Sequence, residues 1–213
     1  MLENVSINTH SSIKIVAKDG STIYFDPFKI PEELNDADYI LITHSHYDHF
    51  SPEDILKIKK INSKIVVTTD LFQKAVDLGF QEEDIQIALP NTHYIVGSIE
   101  FDTIPAYNKT KEFHPRKNGW IGYIINIDNT IYYIAGDTDY SLEASMVKCD
   151  VAMLPIGGTY TMDPEEAAKL ANVIHPKYAV PTHYGSIVGS PEDADIFISL
   201  VDKEIECIKL IHF

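Results

Sequence analysis

The sequence predicts an α+β fold, a four-layer αββα sandwich in which two mixed β-sheets pack face to face and helices cover their outer faces. Three observations carry that expectation. Strand-like segments outnumber helical ones, antiparallel runs open each half of the chain, and each half closes in an alternation of strand and helix. Both kinds of element need an apolar face buried, and two sheets back to back with helices outside would bury them all.

The first run alternates apolar and polar residues through Ile13, Ile15 and Ala17, breaks at Asp19-Gly20 and resumes at Ile23 and Phe25, which is a hairpin signal. "DADYILITHS" holds four consecutive apolar or aromatic residues, Tyr39 to Ile42, as suits a short strand buried on both faces. "SPEDILKIKKI" begins a helix: Ser51 is placed to cap it, Pro52 takes the first helical position, and acidic residues fill the first turn. "KIVVTT" is then a strand, "DLFQKAVDLGF" a helix stopped by Gly79, and "DIQIAL" another strand.

From Tyr94 to Ala135, β-branched and aromatic residues dominate, with two strands around Asp128-Asn129, so consecutive antiparallel strands are expected. "VAMLPIGG" continues as a strand, and Asp163 with Pro164 begins the helix "DPEEAAKLANVI". "KYAVPTHYG" is a strand, "SPEDADIFISLV" the last helix, and "ECIKLIHF" the closing strand.

At 213 residues the chain suits one core, and a single domain spanning residues 1–213 is expected. A net charge of −15 repels phosphate backbones, which makes nucleic acid an unfavoured partner. No apolar run approaches the roughly 20 residues that span a bilayer, and "MLENVSINTHSS" lacks the basic start and apolar middle of a secretory signal. A cytoplasmic protein without a membrane partner is the resulting expectation, with oligomeric state, including a homo-oligomer, left open. Cys149 and Cys207 are too few and too far apart for a disulfide framework and are taken as reduced structural thiols.

The chemistry concentrates in "ITHSHYDHF", where His44, His46, Asp48 and His49 fall within six positions at the end of the Tyr39–Ile42 strand. Residues two apart in an extended segment point the same way, so His44 and His46 can address one metal. Asp48 and His49, past a turn, can address a second. Zinc takes about four ligands from histidine, carboxylate or thiolate, so four local donors do not complete two ions. The remaining donors are sought at strand ends and loops: His114 in "EFHPRKNGW", Asp137 in "IAGDTD" and His183 in "VPTHYG". Gly136 and Gly185 beside two of them permit close backbone approach.

The run "HSHYDH", with "YYIAGDTD" and "VPTHYG", resembles the metallo-β-lactamase fold superfamily over most of the chain, from about Asp26 through Gly185. The segments "IPAYNKTKEFHP", "GWIGYIINI" and "LPIGGTYTMDPEEAA" look most like its small branch of metal-dependent hydrolases related to L-ascorbate-6-phosphate lactonase. The resemblance implies the αββα fold and a dinuclear site. One metal would rest on His44, His46 and a third histidine, the other on Asp48, His49 and His183, with Asp137 bridging. Many relatives carry the third histidine where this chain has Asn108, so either His114 replaces it from six residues downstream, the favoured reading, or Asn108 is a weaker ligand.

Two divalent ions, Zn2+ first and Mn2+ or Fe2+ as alternatives, would share a water, bring its pKa toward neutrality and direct the bridging hydroxide at a small ester, lactone or phosphodiester. Asp48 and Asp137 are the expected catalytic carboxylates, Asp48 also as proton acceptor. Around His114, Lys109, Lys111, Arg116 and Lys117 place four of the 17 basic residues within nine positions. Lys111 and Arg116 are thus candidate contacts of a small anionic substrate, with Asn108, Thr159, Tyr160 and Tyr184 as further pocket residues. "IGGTYT" offers glycines and hydroxyls that suit a phosphate cradle. His10, His93, His175 and His212 show no partner pattern and receive no role. Competing readings are a ribonuclease or other nucleic-acid phosphodiesterase of the same fold, a di-iron redox or metal-sensing protein, and a silent binding module.

Overall fold

Buried side chains alternate along the strands and thereby set two sheets back to back. The computed structural model of the protein describes residues 2–213. The first sheet runs β1 (Val5–Ile7), β2 (Ile13–Val16), β3 (Thr22–Phe25), β4 (Ala37–Leu41), β5 (Lys59–Val67) and β6 (Ile85–Ile87) in spatial order. Its first three strands are antiparallel and the last four pair in parallel. The second sheet starts with β7 (His93–Val96), β8 (Ile99–Pro105), β9 (Ile121–Ile127) and β10 (Thr130–Ile134), all antiparallel. It continues in parallel through β11 (Val151–Pro155), β12 (Tyr178–Thr182) and β13 (Glu206–Cys207).

Strand parity assigns the faces. Ile23, Phe25, Tyr39, Leu41 and Val66 join the core shared with the second sheet, whereas Tyr24, Ile40, Ile65 and Val67 face the other way. On that outer face they meet α1 (Pro52–Ile58) through Ile55 and Ile58, and α2 (Phe72–Asp77) through Ala75. The second sheet is covered by α3 (Leu142–Ser145), α4 (Pro164–Ile174) and α5 (Asp193–Leu200), whose buried residues include Ala144, Leu170 and Phe197. The expected αββα sandwich of two mixed sheets is therefore the observed architecture. Among the described residues no helix is long and apolar enough to cross a membrane.

Local departures from the sequence expectation have identifiable causes. The helix after Ser51 ends at Ile58, and Lys59 is already extended, so β5 starts at once rather than at Lys64. Its early residues pair irregularly with β4, where the Ser63 hydroxyl accepts from the Lys60 amide and donates to the Ala37 carbonyl. The second "SPED" does not start a helix as the first does. At the first, the Ser51 hydroxyl accepts from the Asp54 amide, whereas at the second the Asp193 carboxylate accepts from the Ser190 amide and the helix waits until Asp193. The closing strand is cut to Glu206–Cys207. After Ile208 donates to the Ala179 carbonyl, the next parallel rung would need an N–H at Pro181, which proline lacks. Cys149 and Cys207 are free thiols, and burial pushes Cys149 up to about 12.

One bond sews the sheets together where the histidine run begins. The hydroxyl of Tyr123 on β9, itself fully buried, donates to the Ile42 carbonyl at the end of β4, 2.6 Å away. Its ring stands edge-on to Phe25 of β3 and to Phe101 of β8, at centroid distances of 5.8 and 5.5 Å. Tyr123→Phe keeps that packing and orphans a buried carbonyl, so a loss of about 1–2 kcal/mol is expected in urea unfolding. Unchanged stability would mean the bond is not part of the seam.

Candidate metal centre

The histidine run sits where it does because β4 runs into a loop whose backbone is tied to Asp26. Asp26, buried just past β3, accepts from the Thr43 amide (2.8 Å) and the Thr43 hydroxyl (2.7 Å), while the Thr43 carbonyl accepts from Ile121 of the second sheet. The same carboxylate lies 2.7 Å from His49 Nδ1. Phe50 and His49 amides turn back onto the His46 carbonyl, and α1 follows immediately.

The far nitrogens of three imidazoles are held by outward partners. A carboxylate only accepts, so His49 Nδ1 donates to Asp26. The Thr43 hydroxyl spends its proton on Asp26 and therefore accepts from His44 Nδ1 at 3.0 Å. Asn108 fixes His114: its Oδ1 accepts from the His114 amide (3.0 Å) and from Nδ1 (2.9 Å), while its Nδ2 donates to Asp139 and to the Tyr160 carbonyl. In all three the Nε2 lone pair is left facing inward, the arrangement by which outer partners orient metal-ligating histidines.

Inward, two groups of donors converge. His44 Nε2 and His114 Nε2 lie 3.1 and 3.2 Å from His46 Nδ1, and Asp137 Oδ2 is 3.1 Å from His114 Nε2 and 3.8 Å from His44 Nε2. In the second group, Asp48 Oδ2 lies 3.1 Å from His10 Nε2 and 3.7 Å from both His49 Nε2 and His183 Nε2. Asp137 reaches this group too, with Oδ2 3.0 Å from His183 Nε2 and Oδ1 3.3 Å from His49 Nε2. Four donors around a tetrahedral Zn2+ at about 2.0–2.1 Å stand about 3.3 Å apart, the spacing seen in both groups. Among the described residues, His49 Nε2, His183 Nε2 and Asp137 Oδ1 are buried without a hydrogen-bond partner. Inward lone pairs at this spacing, with orphaned buried nitrogens and a shared carboxylate, are the donor set of divalent cations.

The electrostatics follow from burial and from Asp137. Burial, helped by neighbouring imidazoles, holds His44 well below the ordinary imidazole range and lowers His46. Burial also pushes His10 down to about 4, against its bond to Asp48. Burial pushes His49 and His183 down most, but both end above their usual value because Asp137 acts together with a second carboxylate, Asp26 on His49 and Asp48 on His183. The converse holds for the carboxylate: burial alone would raise Asp137, and His183 and His49 pull it well below the usual range.

All seven sequence-predicted metal ligands are thus gathered into these two groups, His44, His46, His114 and Asp137 in one and Asp48, His49 and His183 in the other. The other pocket residues fare differently. Tyr160 lines the cavity over the site, and Asn108 orients His114. Tyr184 is buried against Phe213 instead, and Thr159 is exposed with its amide on the Gly157 carbonyl. Lys111 Nζ is bound to the buried Asp139 (2.7 Å) and the Thr161 carbonyl, and Arg116 pairs with Glu143, so neither stands free as an anion contact. The phosphate cradle expected in "IGGTYT" is weakened likewise, since the Ile156, Gly158 and Thr159 amides already donate to Thr182, Met162 and Gly157.

His10, Asp26 and Trp120 are site residues that sequence reasoning passed over. His10 is fully buried, its ring 3.7 Å from that of His183, and its carbonyl accepts from the His183 amide. Trp120 packs 4.9 and 4.8 Å from the His44 and His46 rings and donates to Asp70. The glycine before Asp137 is required: Gly136 has φ +64°, and a Cβ there would lie 3.0 Å from the Ile121 carbonyl.

The family model described as the β-lactamase superfamily domain matches residues 4–183. The chain belongs to the β-lactamase superfamily. Within it, the chain is 32% identical to a UPF0173 metal-dependent hydrolase of Thermococcus onnurineus, over 94% of this chain and 93% of the relative. It is 34% identical to one from Ligilactobacillus salivarius, over 88% of each. A solved protein of Parabacteroides distasonis superposes with a TM-score of 0.80 at 30% identity, covering 98% of this chain and 93% of its own. The metallo hydrolase Igni18 of Ignicoccus hospitalis shares the fold at TM-score 0.75 and 24% identity, covering 98% and 95%. This superfamily member is therefore a metal-dependent hydrolase.

Asp26 supports the site through His49 and Thr43 without facing its centre. Asp26→Asn is expected to weaken metal binding about 10- to 100-fold in chelator competition. An unchanged affinity would show that His49 needs no anionic partner.

Proposed function

We propose that the protein is a dinuclear metal hydrolase acting on a small ester, lactone or phosphodiester. The observation that carries this reading is the Asp137 carboxylate, within 3.0–3.8 Å of imidazole nitrogens from both donor groups. His44, His46 and His114 would hold one ion with Asp137, and Asp48, His49 and His183 the other, with His10 beside them. When bound, two divalent ions, Zn2+ or else Mn2+ or Fe2+, supply a water activated at neutral pH and an electrophile for the scissile group.

The chain's own residues do the rest. Thr43, Asp26 and Asn108 lock the imidazoles so that the donors need no reorganisation. Trp120 covers the His44 and His46 rings and excludes water from that side. Asp48 is the more open of the two carboxylates, with its side chain 10% exposed against 2% for Asp137. It is therefore the group to which a proton of the attacking water is handed, and His10 steadies it from behind.

Elemental analysis of protein purified without chelator is expected to give two equivalents of metal per chain, together with hydrolysis in a screen of esters, lactones and phosphodiesters. Asp137→Ala is expected to lose one equivalent and bring turnover to background. Full activity in that variant, or a single equivalent in the parent, would remove the dinuclear reading.

A further inference from the structure

The cavity above the donor groups has a volume of about 260 Å3 and a floor of His46, Asp48, His114 and Asp137. Its remaining walls are Tyr47, Phe113, Tyr160 and Ile187, a rim of three aromatic rings and one branched aliphatic side chain. Tyr47 and Phe113 are 67% and 47% exposed and stand together on the rim of one cavity rather than scattered over the surface. They are also braced in place: Phe113 stands perpendicular to Tyr160 at 4.6 Å, and Tyr47 edge-on to Phe28 at 6.0 Å.

No positive counterpart accompanies this rim. Of the four basic residues flanking His114, none lines the cavity among the described residues, Lys111 is held by Asp139, and Arg116 by Glu143. The chain as a whole carries −15, which lowers the local concentration of anions. The walls hold no cationic side chain to recognise a phosphate ester, whereas three aromatic rings and Ile187 offer apolar contact to a neutral group.

We infer that the substrate is an uncharged carboxylic ester or lactone bearing an aromatic or branched apolar group, which Tyr47, Phe113, Tyr160 and Ile187 hold while the carbonyl meets the floor. The inference rests on the hydrolase reading above and narrows it. In the reaction, the water oxygen bonds to the carbonyl carbon, the acyl carbon–oxygen bond breaks, and one water proton passes by way of Asp48 to the departing alkoxide. A carboxylic acid and an alcohol result, joined as a hydroxy acid when the substrate is a lactone.

Two probes share a metal-binding head and differ only in the apolar group: acetohydroxamic acid and benzohydroxamic acid. Titrated calorimetrically into protein whose metal content has first been measured, the benzo compound is expected to bind at least about tenfold more tightly. That preference is expected to shrink to about threefold or less in Phe113→Ala and in Tyr160→Ala, with metal content and acetohydroxamate affinity kept. Equal affinities in the parent, a preference that survives both substitutions, or no binding of either probe to metal-loaded protein would overturn the inference. So would faster turnover of bis(4-nitrophenyl) phosphate than of phenyl acetate, although that result would leave the hydrolase reading intact. Protein that carries no metal would instead sink the hydrolase reading itself, and the metal assay registers that before any probe is added.

Discussion

A buried carboxylate placed among imidazoles from both sheets is the constraint on which the rest of this structure turns. Asp137 is 3% exposed, and an isolated charge at that depth would cost many kcal/mol. Imidazole partners offset the cost, His49 and His183 held above their usual value beside it, and the partners come from far apart: His44 and His49 follow β4 of the first sheet, His114 follows β8 of the second, and His183 follows β12. The donor groups therefore exist only once the sheets have closed on each other. The Tyr123 to Ile42 bond and the Ile121 to Thr43 bond sit at that junction, so sheet packing and site assembly are one event.

A second layer of bonds gives the donors direction. Each of Asp26, Thr43 and Asn108 occupies the nitrogen of a histidine that points away from the centre, and each is itself held by backbone or by another side chain. Asn108 is the clearest case. It stands where many relatives are expected to carry a histidine, and its amide bridges His114 to Asp139 and Tyr160. A group too short to reach the centre thus fixes the tautomer of one that does. Lys111, bound to the same Asp139, belongs to this scaffold rather than to a substrate rim.

Much of the fold and most of the donors were legible in the sequence because their signals are local. Period-two burial in β3 to β5, the Ser51-Pro52 helix start and the Asp163-Pro164 start each need only a few neighbouring residues. His44, His46, Asp48 and His49 announce themselves by crowding, and Asp137 and His183 by ending apolar strands. What stayed hidden depends on closure. Nothing in "NTHSS" ties His10 to His183 or Asp48, since their contact is made only when the first loop folds over the end of β12. Asp26 received no role because its partners Thr43 and His49 lie across a loop and a further strand. The basic cluster suggested an anion site because Asp139 and Glu143, which neutralise Lys111 and Arg116, arrive from a different part of the chain. The truncation of the last strand, finally, was written in Pro181, but only pairing in a particular register makes that proline matter.

Acidity and cation binding are compatible here because they act over different distances. The field of a chain at −15 is screened within about 8 Å at physiological ionic strength, so it governs what approaches the surface rather than what is held inside. Inside, the choice is made by lone pairs about 3 Å apart, which favour a cation whatever the surface carries. On the neutral-ester reading the two scales also divide the catalytic cycle. An uncharged substrate enters without electrostatic cost and is kept by aromatic contact, whereas hydrolysis turns its acyl half into a carboxylate. That product is the one species in the cycle that an acidic surface expels, so the charge that offers an incoming ester nothing speeds the departure of its acid.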